Sequence, residues 1–142
     1  MANYIARCRT NYFRVMDEEK YSELFSRLIG NETEVEDFTF VENGITMHGF
    51  GCMSAIYFKT DDTDEDEPGS EFEGFLQELQ PIISEGEAFI FTECGHQKLN
   101  QVSGYVTVVT KDEIKHLALG TLALILAREM LGNPNFETRM EY

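Results

Sequence analysis

Phe40-Val41-Glu42-Asn43-Gly44-Ile45-Thr46-Met47 sets an Asn-Gly pair between two strand-like runs. Asn and Gly take the positive φ angles of a two-residue hairpin turn more readily than other residues, so this pair marks where the chain reverses. The alternation before it, through Val35, Asp37, Phe38 and Phe40, is imperfect. Together with the run from Ile45 it predicts a hairpin from about residue 34 to residue 58. Gly49 and Gly51 fall in the second arm, where they weaken or bulge a strand, and Ala55-Ile56-Tyr57-Phe58 resumes it.

A helix is predicted on each side of this hairpin. Upstream, Asp17 is an N-cap before Glu18 and Glu19, and Tyr21, Leu24, Phe25, Leu28 and Ile29 make an apolar stripe that ends at Gly30-Asn31. Downstream, Ser70-Glu71-Phe72-Glu73 has the form of a capping box, and Phe72, Phe75, Leu76, Leu79 and Ile83 make a second stripe. Pro81 should end or kink that helix. Strands are expected at Tyr4 to Arg9, Ala88 to Thr92, Gly104 to Thr110 and Glu113 to Leu119. Thr121 would cap a last helix through Leu131, closed by Gly132 and Pro134. That helix is apolar on almost every side, so it should be buried or form a homo-oligomer contact through Leu122 to Leu131.

The order β-α-β-β-α-β then β-β-α predicts an α+β fold, with a ferredoxin-like antiparallel sheet, helices on one face and a C-terminal β-β-α extension. A chain of 142 residues, 42% hydrophobic, with 11 Phe and little Gly or Pro, is expected to form one domain over residues 1–142 and excludes a disordered or repeat-built chain. The apolar stretch Leu117 to Ala127, broken by Gly120 and Thr121, falls short of the roughly 20 residues that cross a bilayer. Met1 to Arg9 carries Arg7 and Arg9 after a short apolar run, unlike an export leader. Cys8, Cys52 and Cys94 are too few and odd in number for a disulfide scaffold, so reduced thiols in the cytoplasm are expected.

The net charge of −15 is unevenly placed: residues 31–100 hold seventeen acids against two bases. Within them Asp61, Asp62, Asp64, Glu65, Asp66, Glu67, Glu71 and Glu73 set eight acids in thirteen residues without a base, which predicts an extended, solvated acidic loop at about 60–70. An extended run of this density resembles the charge spacing of one nucleic-acid strand. Asp61, Asp62, Asp64, Glu65, Asp66 and Glu67 are therefore the expected binding residues for a basic protein surface of a host factor, and the solvated-loop reading stands beside that one.

The stretch Tyr4-Ile5-Ala6 through Arg9-Thr10-Asn11-Tyr12-Phe13-Arg14-Val15, with Asp17-Glu18-Glu19, resembles the N-termini of a family of small proteins encoded on phages and conjugative elements of gut bacteria. Glu85-Gly86-Glu87-Ala88-Phe89 through Lys98-Leu99, with Ser103-Gly104-Tyr105, is similar to their later half. Neither stretch holds a catalytic signature, and the acidic run at 60–70 departs from the pattern. The resemblance implies a mobile-element setting and carries no functional residue across.

Four residues are candidates for a metal: His48 with Cys52, and Cys94 with His96, would make a Cys₂His₂ set if their strands met. The pairs lack the tight clip of structural zinc, and no third group orients a Cys–His nucleophile, so neither a metal, a cofactor nor an enzymatic activity is predicted. A small-ligand or divalent-metal module built on these residues is the alternative function. Asp62, Asp64, Asp66 and Glu73 match positions of a calcium loop, but Glu67 stands where the turn needs glycine. Arg7, Arg9 and Arg14 with Tyr12 and Phe13 are expected to be core aromatics and acid-paired arginines. Direct nucleic-acid binding is not expected at this net charge.

Overall fold

The computed structural model describes residues 5–59, 72–97 and 102–138. Strict alternation on β1 (Ile5–Thr10) buries Ala6, Cys8 and Thr10 and exposes Ile5, Arg7 and Arg9, which gives the sheet an inner and an outer face. α1 (Glu18–Ser26) starts where Asp17 accepts a hydrogen bond from the Lys20 N–H at 3.0 Å. It stops three residues before the end of its predicted stripe. Leu28–Gly30 is instead strand β2, pairing Leu28 with Phe58 and Ile29 with Tyr57. Apolar residues spaced for a helix are here taken by a strand partner, a tertiary choice that local periodicity does not contain.

The hairpin forms around Asn43-Gly44, whose φ angles of 54° and 77° are both positive. β3 (Glu36–Asp37) and β4 (Phe40–Glu42) face β6 (Phe50–Cys52) and β5 (Ile45–Met47) in one continuous register, Glu36 opposite Gly51 and Glu42 opposite Ile45. The ladder is interrupted at Thr39 and His48, where His48 bridges Phe13 instead. Beyond Ser54 the chain leaves the sheet, and β7 (Ile56–Phe58) pairs with β2.

α2 (Glu73–Leu79) ends where Pro81 opens a 3₁₀ turn, Gln80–Ile82. Ser70 and Glu71 of the predicted capping box lie outside the described residues. β8 (Phe89–His96), β9 (Val102–Val109) and β10 (Ile114–Ala118) complete a six-stranded sheet in the order β10-β9-β8-β1-β6-β3, each neighbouring pair antiparallel. Asn11 extends β1 with its side chain: Nδ2 donates to the Ala88 carbonyl and Oδ1 accepts from the Ile90 N–H.

The inner face is closed by α1 and α2. Phe13, Phe50, Phe58, Phe75 and Phe89 are fully buried with Leu24, Leu76, Leu79, Ile83 and Val109. Their rings meet edge to face, Phe13 on Phe89 at 5.0 Å and Phe50 on Phe75 at 5.8 Å, the arrangement the ring quadrupole favours.

α3 (Leu119–Leu131) stands on the other face. It begins directly after β10, two residues before Thr121, and the Leu119 side chain settles over Gly104 on the outer face, where a Cβ would collide with it. It closes at Gly132, whose N–H and that of Asn133 donate to the Glu129 and Arg128 carbonyls. No residue of α3 is buried within the chain. Among the described residues no helix is long and apolar enough to cross a membrane.

Candidate interaction surfaces

Asp61, Asp62, Asp64, Glu65, Asp66 and Glu67 lie outside the described residues. Both flanks are anchored on the inner side of the sheet. Lys59 donates its N–H to the Arg27 carbonyl at 2.8 Å, and the Phe72 ring packs on Phe75 and Phe91 at 5.2 and 4.4 Å.

Of the ten described acids in the acidic middle, five collect along one sheet edge, while Glu73 pairs with His116 on β10 and Glu78 with Lys20 and Arg27. β3 is the edge strand, and Glu32, Glu34, Glu36, Asp37 and Glu42 are exposed on and beside it. None of the five makes an ion pair among the described residues, and only Asp37 is held locally, accepting from the Thr39 N–H. The basic side chains around them are otherwise engaged. Lys20 and Arg27 share Glu23 and Glu78, with Arg27 Nη2 3.1 Å from Glu78 and its guanidinium 4.4 Å above the Phe58 ring. The hydrogen bond that the Lys20 ammonium donates to the Glu78 carboxylate holds Lys20 above its ordinary pKa. Arg7 donates to the Met53 carbonyl at 2.8 Å, and Arg9 lies over the Phe38 ring at 5.1 Å.

Arg7 and Arg9 therefore differ from their expected pairing with acids: Arg7 meets backbone and Arg9 meets aromatic faces. Phe13 is buried as expected, whereas Tyr12 stays half-exposed with its ring edge-on to Phe40.

The four candidate ligands do not come together. His48 is buried with both nitrogens occupied, Nε2 at 2.6 Å from Glu18 and Nδ1 at 3.2 Å from Thr39 Oγ1. Cys52 is buried opposite Cys8, its sulfur near Thr33 and Ser54. Cys94 and His96 do lie on one face, since β8 runs unbroken through Gly95. That face is the outer one: Cys94 pairs with Arg7, and Cys52 with the inward Cys8. The sheet itself separates the two pairs. Among the described residues no three His, Cys, Asp or Glu side chains are placed to hold a metal ion.

Cys94 and His96 instead line an open groove of about 1030 Å³ between the outer face and α3, with Ile5, Val102, Leu119 and Leu124 as its apolar walls. The sequence reading did not find this groove. Its one local signal was a final helix apolar on all sides; that Ile5, Ile90, Val102 and Val106 share the sheet's other face emerges only from strand order and register.

No family model matches the chain, no curated protein is significantly similar to it, and no solved structure matches it significantly.

Proposed function

We propose that the protein is a non-enzymatic interaction protein whose acidic side engages a basic protein surface of a host factor. The observation that carries this reading is the edge at β3, where Glu32, Glu34, Glu36 and Glu42 are exposed without an ion pair among the described residues while Lys20 and Arg27 are neutralised internally. Acids left free in this way are available to a partner's Lys or Arg, and charge patterns of this kind set on-rate and partner choice. In this reading the acids Asp61 to Glu67 serve the same partner by their charge, and the setting is the cytoplasm of a cell carrying a phage or conjugative element. The β8-β1-β6-β3 order with α1 and α2 on one face supports a ferredoxin-like core, to which β9, β10 and α3 are an extension.

The test compares capture from host lysate by the native chain and by a chain with Asp61 to Glu67 changed to Ser and Asn and Glu34 and Glu36 to Gln. A partner held by the native chain, released by salt and missed by the neutralised chain is the expected result. Equal capture by both chains removes the acidic side from the function.

A further inference from the structure

A helix that is hydrophobic all round is ordinarily found inside a structure, since no orientation lets it present a polar side to water. α3 breaks that rule within one chain. Leu119, Leu122, Ile125, Leu126, Met130 and Leu131 are exposed, from 39% for Leu122 to 78% for Met130. Even the side turned to the sheet is only half covered, at Leu124 and Ala127, because the helix rests on the sheet at Leu119 over Gly104 and leaves the groove open. The outer face beside it adds Ile5, Val102 and Leu117, each more than 40% exposed.

Three observations favour a second copy of the chain as its cover. The first is area: these side chains together expose on the order of 800 Å² of apolar surface, which exceeds the largest patch of a typical monomer and equals one partner's share of a standard interface. The second is charge. α3 has only Arg128 and Glu129, and Arg128 is turned back onto the chain, donating to the Phe136 carbonyl and to Glu137 at 2.9 Å. Beside it the groove adds Arg7, which is tied to the Met53 carbonyl, and His96, so on a chain of net charge −15 this largely apolar face matches an identical face better than it matches an oppositely charged partner. The third is position. β10 and the acidic β3 are at opposite edges of the six-stranded sheet, five strand spacings or roughly 24 Å apart, so two copies can join at α3 with the acids of the β3 edge held more than two Debye lengths away.

We propose that α3 and the groove beside it form the interface of a homodimer, in which α3 of each copy packs against α3 and the outer sheet face of the other. The contact is isologous: the residues that one copy contributes are those it receives. Its evidence is separate from that for the acidic side, and salt distinguishes them. Screening the −15 charge strengthens self-association, while it weakens capture of a basic partner.

Sedimentation of the full chain from about 1 to about 100 µM, at low and high salt, tests the proposal. The native chain is expected to sediment as a dimer that salt tightens, and the α3 amides to exchange more slowly as concentration rises. Leu126→Glu, at a position 55% exposed in the single chain, should keep its far-UV circular dichroism and dissociate roughly 100-fold more readily. Leu126→Met should remain dimeric. A native chain that stays monomeric throughout, concentration-independent exchange in α3, or a monomer that native mass spectrometry finds carrying a small apolar molecule would each overturn the proposal.

Discussion

Phe89 and Ile90 are adjacent in β8 and have opposite surroundings. Phe89 is fully buried on the inner face, with Phe13, Phe50, Phe75 and Phe91 around its ring, while Ile90 looks out from the other face 36% exposed. Most of the β1 and β8 positions differ in this way, though toward β10 the inner face leaves Tyr105 and His116 exposed. The chain completes the inner one with its own helices, and it sets on the outer one a helix with no buried residue. Stability is therefore concentrated on one side, and the other side is free for contacts with other molecules.

The largest expected effect cuts into the inner side. Phe89→Ala removes a fully buried ring and should cost about 3–5 kcal/mol, read as a fall in denaturant midpoint at unchanged slope. Ile90→Ala in dilute solution should cost less than about 1.5 kcal/mol, since part of its side chain is already in water. Similar losses at the two positions would mean that the outer face is packed within one chain, and the contrast between the faces would fail.

How far the sequence revealed these faces depended on how local each signal was. Asp17, Asn43-Gly44, Pro81 and Gly132 act on the backbone within a few residues of themselves, and each works where its chemistry predicts. β2 was missed because Leu28 and Ile29 satisfy a helical stripe as well as a strand, and only Phe58 and Tyr57, far along the chain, decide between them. The metal candidates were misgrouped for a related reason. Spacing in sequence says nothing about which side of the sheet Cys52 and Cys94 take, and that is set by their pairing with Cys8 and Arg7. The acids of Glu32 to Glu42 were legible as charge, but their gathering on an edge strand was not.

A second, smaller effect sharpens the contrast chemically. Burial, with Cys52 and Glu93 nearby, pushes the Cys8 thiol from its ordinary 9.0 up to about 12, and burial likewise raises the Tyr21 hydroxyl above its usual range. Above about pH 9 the unfolded chain releases the Cys8 proton while the folded chain keeps it. The folded state then binds more protons, so stability is full below pH 9 and declines toward pH 12, each such group adding up to about 1.4 kcal/mol per pH unit. Cys8→Ala should flatten the slope of denaturant midpoint against pH between 9 and 11. In the native chain near pH 8, a thiol reagent should label the exposed Cys94 first and reach Cys8 only as the chain unfolds. Fast labelling of Cys8, or an unchanged slope in the alanine variant, would show that the inner face admits water.

The smallest effect belongs to the acidic edge. Glu34 and Glu36 are exposed, lie among acids of the same sign and have no ion pair among the described residues, so they take part in no packing that folding depends on. Glu34→Gln with Glu36→Gln should change stability by less than about 0.5 kcal/mol, in the stabilising direction, because the variant relieves repulsion that the native chain retains. Added salt should shrink that gain by screening the same repulsion. A loss of stability from this pair, insensitive to salt, would make the edge acids part of the folded scaffold. The predicted combination, a fold slightly stabilised and a partner lost, is what separates acids held for recognition from acids held for structure.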